Sequence, residues 1–348
     1  MSTVYLRALT VLVILTISMP LAAADSAVVL MYHRFGEDTY PSTNITVEQL
    51  EDQLEHLSEG GYAVVPLSDV VEALTKGTSL PPRAVAITID DAYRSVYDVA
   101  YPRFKAKGFP FTVFVATDGV DRGLPAYMTW DQMREMVAGG ATYANHGATH
   151  DSLIERRASE DDVAWLARVR ADVDKGMGRL NDELDPLPGA FAYPYGEYNS
   201  AVAAMLRDMG YVAFGQQSGA VGQGGDLRAL PRFPMAEAFA DISEFRTKVS
   251  SLPLPVVAVE PWDPVVSTEQ PIIEVTLGAV DGRLSRLTCY VSGQGAVEVN
   301  WLKPDERFSV GPTKPFDAGR HRVNCTAPQK DGRYLWFSHP WIIQPTKH

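Results

Sequence analysis

From residue 27 to about residue 249, short apolar runs alternate with amphipathic stretches, and this alternation constrains the fold more than any other feature. Strands are predicted over residues 28–32, 84–89, 111–116, 141–145, 190–193 and 211–214. Thr46-Val47-Glu48-Gln49 reads as a capping box opening a helix with Leu50, Leu54 and Leu57 on one face, closed by Gly60-Gly61. Thr129-Trp130-Asp131-Gln132 repeats the box before a helix that Gly139-Gly140 ends. Strands alternating with helices predict a parallel sheet or barrel, with functional side chains at the C-terminal ends of the strands.

Prolines crowd residues 251–264, and beyond them β-branched alternation replaces helical periodicity. The chain thus divides into a leader at residues 1–24, an α/β domain at 25–255 and a small all-β domain at 256–348. The leader has Arg7, an apolar run through Leu21, and Ala22-Ala23-Ala24, which fits a signal peptide cleaved before Asp25. The run is too short for a spanning helix, so the expectation is an exported chain, periplasmic or secreted, with no membrane span after cleavage. In an oxidising compartment the two cysteines, Cys289 and Cys325, read as a disulfide. Together with Trp301 their spacing resembles an immunoglobulin-like sandwich, in which a Trp packs on an inter-sheet disulfide.

The net charge of −12 argues against nucleic acid, whose phosphates select basic surfaces, and against anionic membranes. Acidic and basic residues balance in the β domain, so the negative charge belongs to the first domain.

Four motifs fall just after predicted strands. Thr88-Ile89-Asp90-Asp91-Ala92-Tyr93 sets two carboxylates at a strand end, where one can bind a metal and the other take a proton. The same pair can also serve as an N-cap and first-turn acid for the next helix. His146-Gly147-Ala148-Thr149-His150 spaces two imidazoles to meet on one helical turn and share a metal, or leaves both as surface residues. Tyr193-Pro194-Tyr195-Gly196 forms a rigid turn able to aim a backbone N–H outward. Leu30-Met31-Tyr32-His33 places a lone His at the mouth of the first strand. Chance would not bring all four to the same end of successive strands.

In this order the motifs resemble the polysaccharide deacetylases of carbohydrate esterase family 4, over roughly residues 27–249. The resemblance implies a distorted (β/α) barrel, followed here by the small β sandwich. It also implies a divalent metal, most often Zn2+, with Ni2+, Co2+ or Fe2+ as alternatives, held by Asp91, His146 and His150. Asp90 would be the general base, and the Tyr195 N–H would bind the oxyanion. The usual Gly after the Asp pair is Ala92, the Arg expected near the third motif is replaced around Ala192, and the late Leu-x-His motif is missing. These departures resemble the exported poly-β-1,6-N-acetylglucosamine deacetylases, in which a His on the first strand supplies the acid. That assigns the acid to His33 and makes Arg232 the candidate for orienting the base, with Asp226 as a second candidate.

The implied activity is removal of N-acetyl groups from an N-acetylglucosamine-containing polysaccharide. Tyr93, Trp130, Tyr195 and Tyr198 are candidates to stack on sugar, although Trp130 after a capping box can equally anchor the core. Trp336 and Trp341 read as core. The β domain has three roles open to it: binding glycan, packing on the barrel, or contacting other export proteins. Two rivals remain, a glycoside hydrolase and a non-catalytic glycan-binding protein. The first usually needs carboxylates about 5–9 Å apart from different strands, unlike the adjacent Asp90 and Asp91, and leaves both histidines without a role.

Overall fold

The computed structural model describes residues 24–280 and 284–344. The predicted leader lies outside them except for Ala24, whose N–H and C=O pair with Leu80.

The α/β half is built on nine strands: β1 (Ser26–Tyr32), β2 (Ala63–Val64), β3 (Ala84–Asp90), β4 (Phe111–Val115), β5 (Ala141–Asn145), β6 (Ala190–Ala192), β7 (Val212–Phe214), β8 (Ala220–Gly222) and β9 (Phe233–Pro234). Their order is β8-β1-β3-β4-β5-β6-β7, with β2 beside β3 and β9 beside β1. From β1 to β7 along this order every pairing is parallel. All six predicted strands are present, with ends shifted by two residues or fewer. The short strands β2, β8 and β9 carry too few residues to show a period, and the sequence pattern does not announce them.

Strand alternation sorts the side chains into two cores. Val28, Leu30 and Tyr32 of β1, and Val85, Ile87 and Ile89 of β3, face outward to helices α1 (Val47–Glu59) and α3 (Tyr101–Lys107). Small residues face the interior, among them Ala86, Ala144 and Ala192, together with Phe114 and Phe214. Asp90 shares the parity of Ala86 and Thr88 and therefore points inward. The sheet curls without closing strand to strand. Residues 227–234 cross the gap instead: Leu230 bonds to Ala213 and Gly215 beside β7, and Phe233 pairs with Leu30 of β1.

Both capping boxes form as predicted, opening α1 and α5 (Trp130–Val137). A long helix, α6 (Asp162–Glu183), buries Trp165, Val169 and Val173 against Phe191 of β6 and α7 (Ser200–Asp208). Among the described residues no helix is long and apolar enough to cross a membrane.

The C-terminal part is all-β and comprises two sheets. One holds β10 (Leu252–Pro253), β12 (Val265–Val266), β14 (Thr288–Val291), β15 (Gly295–Val297), β18 (Gly319–Pro328) and β19 (Tyr334–Ile343). The other holds β11 (Val256–Glu260), β13 (Ile273–Leu277), β16 (Asn300–Lys303) and β17 (Arg307–Val310). Because β10 already pairs with Leu335 and Trp336, this sheet begins a few residues before position 256.

Cys289 and Cys325 are bonded, but the immunoglobulin-like expectation needs correction. The two residues lie directly opposite each other on neighbouring strands β14 and β18, so the bridge is within one sheet. Trp301, on the other sheet, sits edge-on to Phe308 of its own sheet rather than marking an inter-sheet staple. Cysteine spacing constrains which strands meet, not which sheets they occupy. Trp341 is buried in the sandwich core, whereas Trp336 packs edge-on to Phe233 of the barrel, 5.0 Å between centroids.

One buried imidazole in this domain has a measurable consequence. His339 on β19 is 5% exposed, its Nε2 has no hydrogen bond among the described residues, and burial pushes its pKa from 6.5 down to about 4. Between those values the unfolded chain binds a proton that the native domain does not. Stability is therefore lost as pH falls through that window, by up to about 3 kcal/mol. Thermal unfolding followed from pH 7 to 4 should show this slope, and His339→Leu should flatten it. An equal slope in the variant would clear His339 of responsibility.

Candidate active site

The four motifs converge at the C-terminal ends of β1, β3, β5 and β6. Asp90 ends β3 and is fully buried. Its two oxygens meet Arg232 in a bidentate pair, with Nη1 to Oδ1 at 2.7 Å and Nη2 to Oδ2 at 2.8 Å. Arg232 is itself fully buried and also donates to Thr88 Oγ1 and to the Gly215 carbonyl. The guanidinium enters the small-residue interior that also contains Ala192. Asp226, the second candidate, is occupied elsewhere: it pairs with Arg228 and accepts from the Trp262 indole. Burial pushes the Asp90 carboxyl up, but Arg232, with His146 and His33, outweighs this and holds it below the usual carboxylate range.

Asp91 turns away from Asp90 in a left-handed conformation, φ +75°, followed by Ala92 at +63°. Ala92 thus occupies a position where glycine is the easy residue. His150 and Tyr195 are also left-handed, so four of the seven non-glycine residues with positive φ among those described lie in this site. Each such residue costs on the order of 1–3 kcal/mol and persists only where its surroundings over-determine it.

His146 and His150 meet, but not on a helical turn as the spacing suggested. Residues 146–150 form a loop with Gly147 at φ +76°. A Cβ at Gly147 would lie 2.6 Å from Asp172, which explains the glycine. Asp172 on α6 accepts from the Ala148 and Thr149 amides at 3.1 and 3.0 Å, and Asn145 ties the loop to the Val173 carbonyl. No motif flags Asp172 in the sequence, because it lies on another element 22 residues beyond His150.

Asp91, His146 and His150 each offer one donor atom, all within 4.8 Å of one another. The His146 Nδ1–H donates to the Ala192 carbonyl at 2.7 Å, leaving Nε2 as the lone-pair nitrogen. That Nε2 and Asp91 Oδ1 are buried with no well-directed hydrogen bond among the described residues, although His150 Nε2 lies 2.9 Å and His146 Nε2 3.4 Å from the same oxygen. Buried polar atoms are rarely left so, and two of them converging on one point fit a divalent cation. Burial opposes charge on both Asp91 and His150; for Asp91 the imidazoles of His146 and then His150 prevail and hold it well below the usual carboxylate range, while Asp91, 2.9 Å away, raises His150.

His33, just beyond β1, places Nε2 3.9 Å from Asp90 Oδ2. Burial pushes its pKa down more than Asp91 and Asp90 pull it up. Tyr195 lies at the mouth, 41% exposed, its ring edge-on to His150 at 4.6 Å.

The other proposed sugar contacts fare differently. Tyr198 is 3% exposed and packs between Tyr193 and Trp262, so it is a core residue and offers no sugar platform. Trp130 donates to Asp121, lies near the Arg179 guanidinium and packs on the outer core, an anchoring role on the barrel flank. Tyr93 adjoins the site, but Arg34 lies 3.4 Å from its ring centroid and Tyr127 stands against it. Arg34 had no sequence signal beyond its place next to His33.

Residues 77–214 match the polysaccharide deacetylase family model. The chain carries a polysaccharide deacetylase domain. Among curated relatives, a poly-β-1,6-N-acetyl-D-glucosamine N-deacetylase of Escherichia coli K12 is 25% identical over 232 residues, 56% of this chain and 34% of the relative. The protein of the same name from Staphylococcus epidermidis is 25% identical over 231 residues, covering 60% and 78%. This chain therefore spans about a third of the length of the E. coli relative. Of solved structures, IcaB from Ammonifex degensii aligns with a TM-score of 0.57 at 26% identity, over 65% of this chain and 98% of IcaB. The Streptococcus pyogenes deacetylase PplD aligns at 0.58 and 22%, over 66% and 99%, and shares the fold of the deacetylase domain.

Two variants test this geometry. Arg232→Leu leaves Asp90 buried without its partner and should destabilise the deacetylase domain by about 3–5 kcal/mol. Urea unfolding would show this as a lower midpoint; an unchanged midpoint would mean that the pair carries no structural weight. Asp172→Ala should weaken divalent-metal affinity about 10–100-fold while the fold is retained, because the loop holding both histidines loses its anchor. Chelator competition reads that affinity directly.

Proposed function

We propose that this protein is an exported, metal-dependent deacetylase that removes N-acetyl groups from an N-acetylglucosamine-containing polysaccharide, with poly-β-1,6-N-acetylglucosamine as the favoured substrate. The observation that carries the reading is the convergence of an ion-paired carboxylate, Asp90, with the Asp91, His146 and His150 donor set at one barrel mouth. The relatives' names point to the same substrate class.

Asp91, His146 and His150 would hold the cation, with Zn2+ favoured and Ni2+, Co2+ or Fe2+ also compatible with two imidazoles and a carboxylate. When bound, it supplies Lewis-acid polarisation of the acetyl carbonyl and a lowered pKa for water in the site. Asp90, kept ionised by Arg232, is ready to accept the proton of the attacking water. Arg232 fixes both carboxylate oxygens, so the orientation of the base does not depend on substrate. The Tyr195 N–H, aimed by its left-handed turn, would stabilise the oxyanion; one well-placed donor of this kind is worth about 3–4 kcal/mol. His33 would protonate the departing amine. Burial lowers its pKa by more than the nearby Asp91 and Asp90 raise it, which favours release of a proton from its imidazolium. The product gains a positive charge, which suits a catalytic domain carrying the chain's excess of acidic groups.

A glycoside hydrolase is disfavoured by the two carboxylates: Asp90 is locked to Arg232 and Asp91 faces two imidazoles, leaving no pair to flank a glycosidic bond. Acetate release without new reducing ends, measured on β-1,6-linked N-acetylglucosamine oligomers, chitin oligomers, peptidoglycan and acetylxylan, should single out the first. Asp90→Asn should cut turnover about a thousandfold with metal retained. Full acetate release by the Asp91→Ala, His150→Ala double variant would sink the metal-dependent reading.

A further inference from the structure

Arg320 belongs to β18 of the C-terminal sandwich, yet its side chain reaches the barrel mouth. Its Nη1 donates to the Tyr195 carbonyl at 3.0 Å, its Nε lies 3.7 Å from Glu197 Oε1, and its guanidinium carbon is 5.6 Å from the Tyr195 ring centroid. Glu197 in turn accepts from Ser152, two residues past His150. A chain of contacts therefore runs from the sandwich, through the Tyr195 turn, to the loop bearing the histidines.

That turn needs external support. Tyr195 is a non-glycine residue at φ +59°, and Gly196 follows at +70°, where an added Cβ would lie 2.7 Å from Gln216. The turn's own backbone bonds, Gly196 to Tyr193 and Glu197 to Pro194, leave the Tyr195 carbonyl for an outside donor. Among the described residues, Arg320 is the donor recorded there. Beside it opens a cleft of about 500 Å³ whose lining includes Asp151, Ser152, Arg156, Tyr195, Glu197 and Arg320.

We propose that Arg320 is a positioning residue for the Tyr195 backbone, so that the sandwich completes the mouth of the deacetylase domain. The kinetic side of this proposal rests on the deacetylase reading; the structural side does not. Arg320 holds the Tyr195–Gly196 peptide plane and, through the left-handed φ and ψ of Tyr195, restrains the direction of the Tyr195 N–H. Its side chain is 54% exposed, so removing it leaves no buried charge and the fold should survive.

The test uses the full chain with Arg320→Ala and Arg320→Lys. Amide hydrogen exchange at Gly196 and Glu197 should accelerate about tenfold in Arg320→Ala, as the turn loses its restraint. In acetate release from a β-1,6-linked N-acetylglucosamine pentamer, kcat should fall about tenfold with KM within about twofold, the pattern of a misaimed transition-state donor. Bound metal should be unchanged, and Arg320→Lys, which keeps a donor, should restore part of both effects. Exchange rates equal to wild type would overturn the proposal, as would a loss confined to KM. If the wild-type protein releases no acetate, the functional reading fails, and the exchange measurement still decides the role of Arg320.

Discussion

The bidentate pair between Asp90 and Arg232 is the interaction on which the site depends. Both partners are fully buried, so neither charge is tolerable alone. Arg232 lies in the segment that crosses from β7 to β1, while Asp90 ends β3. One ion pair therefore pins the crossing segment to the sheet and fixes the carboxylate at the barrel mouth. The small side chains at Ala86, Ala144 and Ala192 leave the interior room that a guanidinium needs.

Strain gathers around the same point. Asp91, Ala92, His150 and Tyr195 all adopt the left-handed region, each held by contacts from another element. Met128 bonds the Ala92 carbonyl, Asp172 fixes the loop leading to His150, and Arg320 holds the Tyr195 carbonyl. Left-handed turns at strand ends let consecutive residues face different ways, which is how adjacent Asp90 and Asp91 meet different partners. Their neighbourhoods diverge accordingly: a guanidinium for one, two imidazoles for the other.

The sandwich is more than an appendage in this arrangement. Trp336 packs on Phe233, one residue past Arg232, Asp263 caps the start of α7 through the Ser200 amide, and Arg320 reaches Tyr195. Its disulfide ties neighbouring strands β14 and β18 within the sheet that also carries Arg320.

Local chemistry settled much of this in advance. Apolar runs and capping boxes marked the six long-patterned strands and the helix starts, because period and caps are properties of a few neighbouring residues. Asp90, Asp91, His146 and His150 were legible for the same reason: each motif sits within six residues, directly after a strand. Three matters needed the tertiary structure. The two histidines converge through a loop and not a helical turn, since Asp172 on a distant helix holds that loop. Tyr198 is a core residue because Tyr193 and Trp262, from separate elements, enclose it. The disulfide joins strands of one sheet, and Arg320 arrives from the C-terminal sheets, because which elements become neighbours depends on packing between distant segments, and no local pattern encodes it.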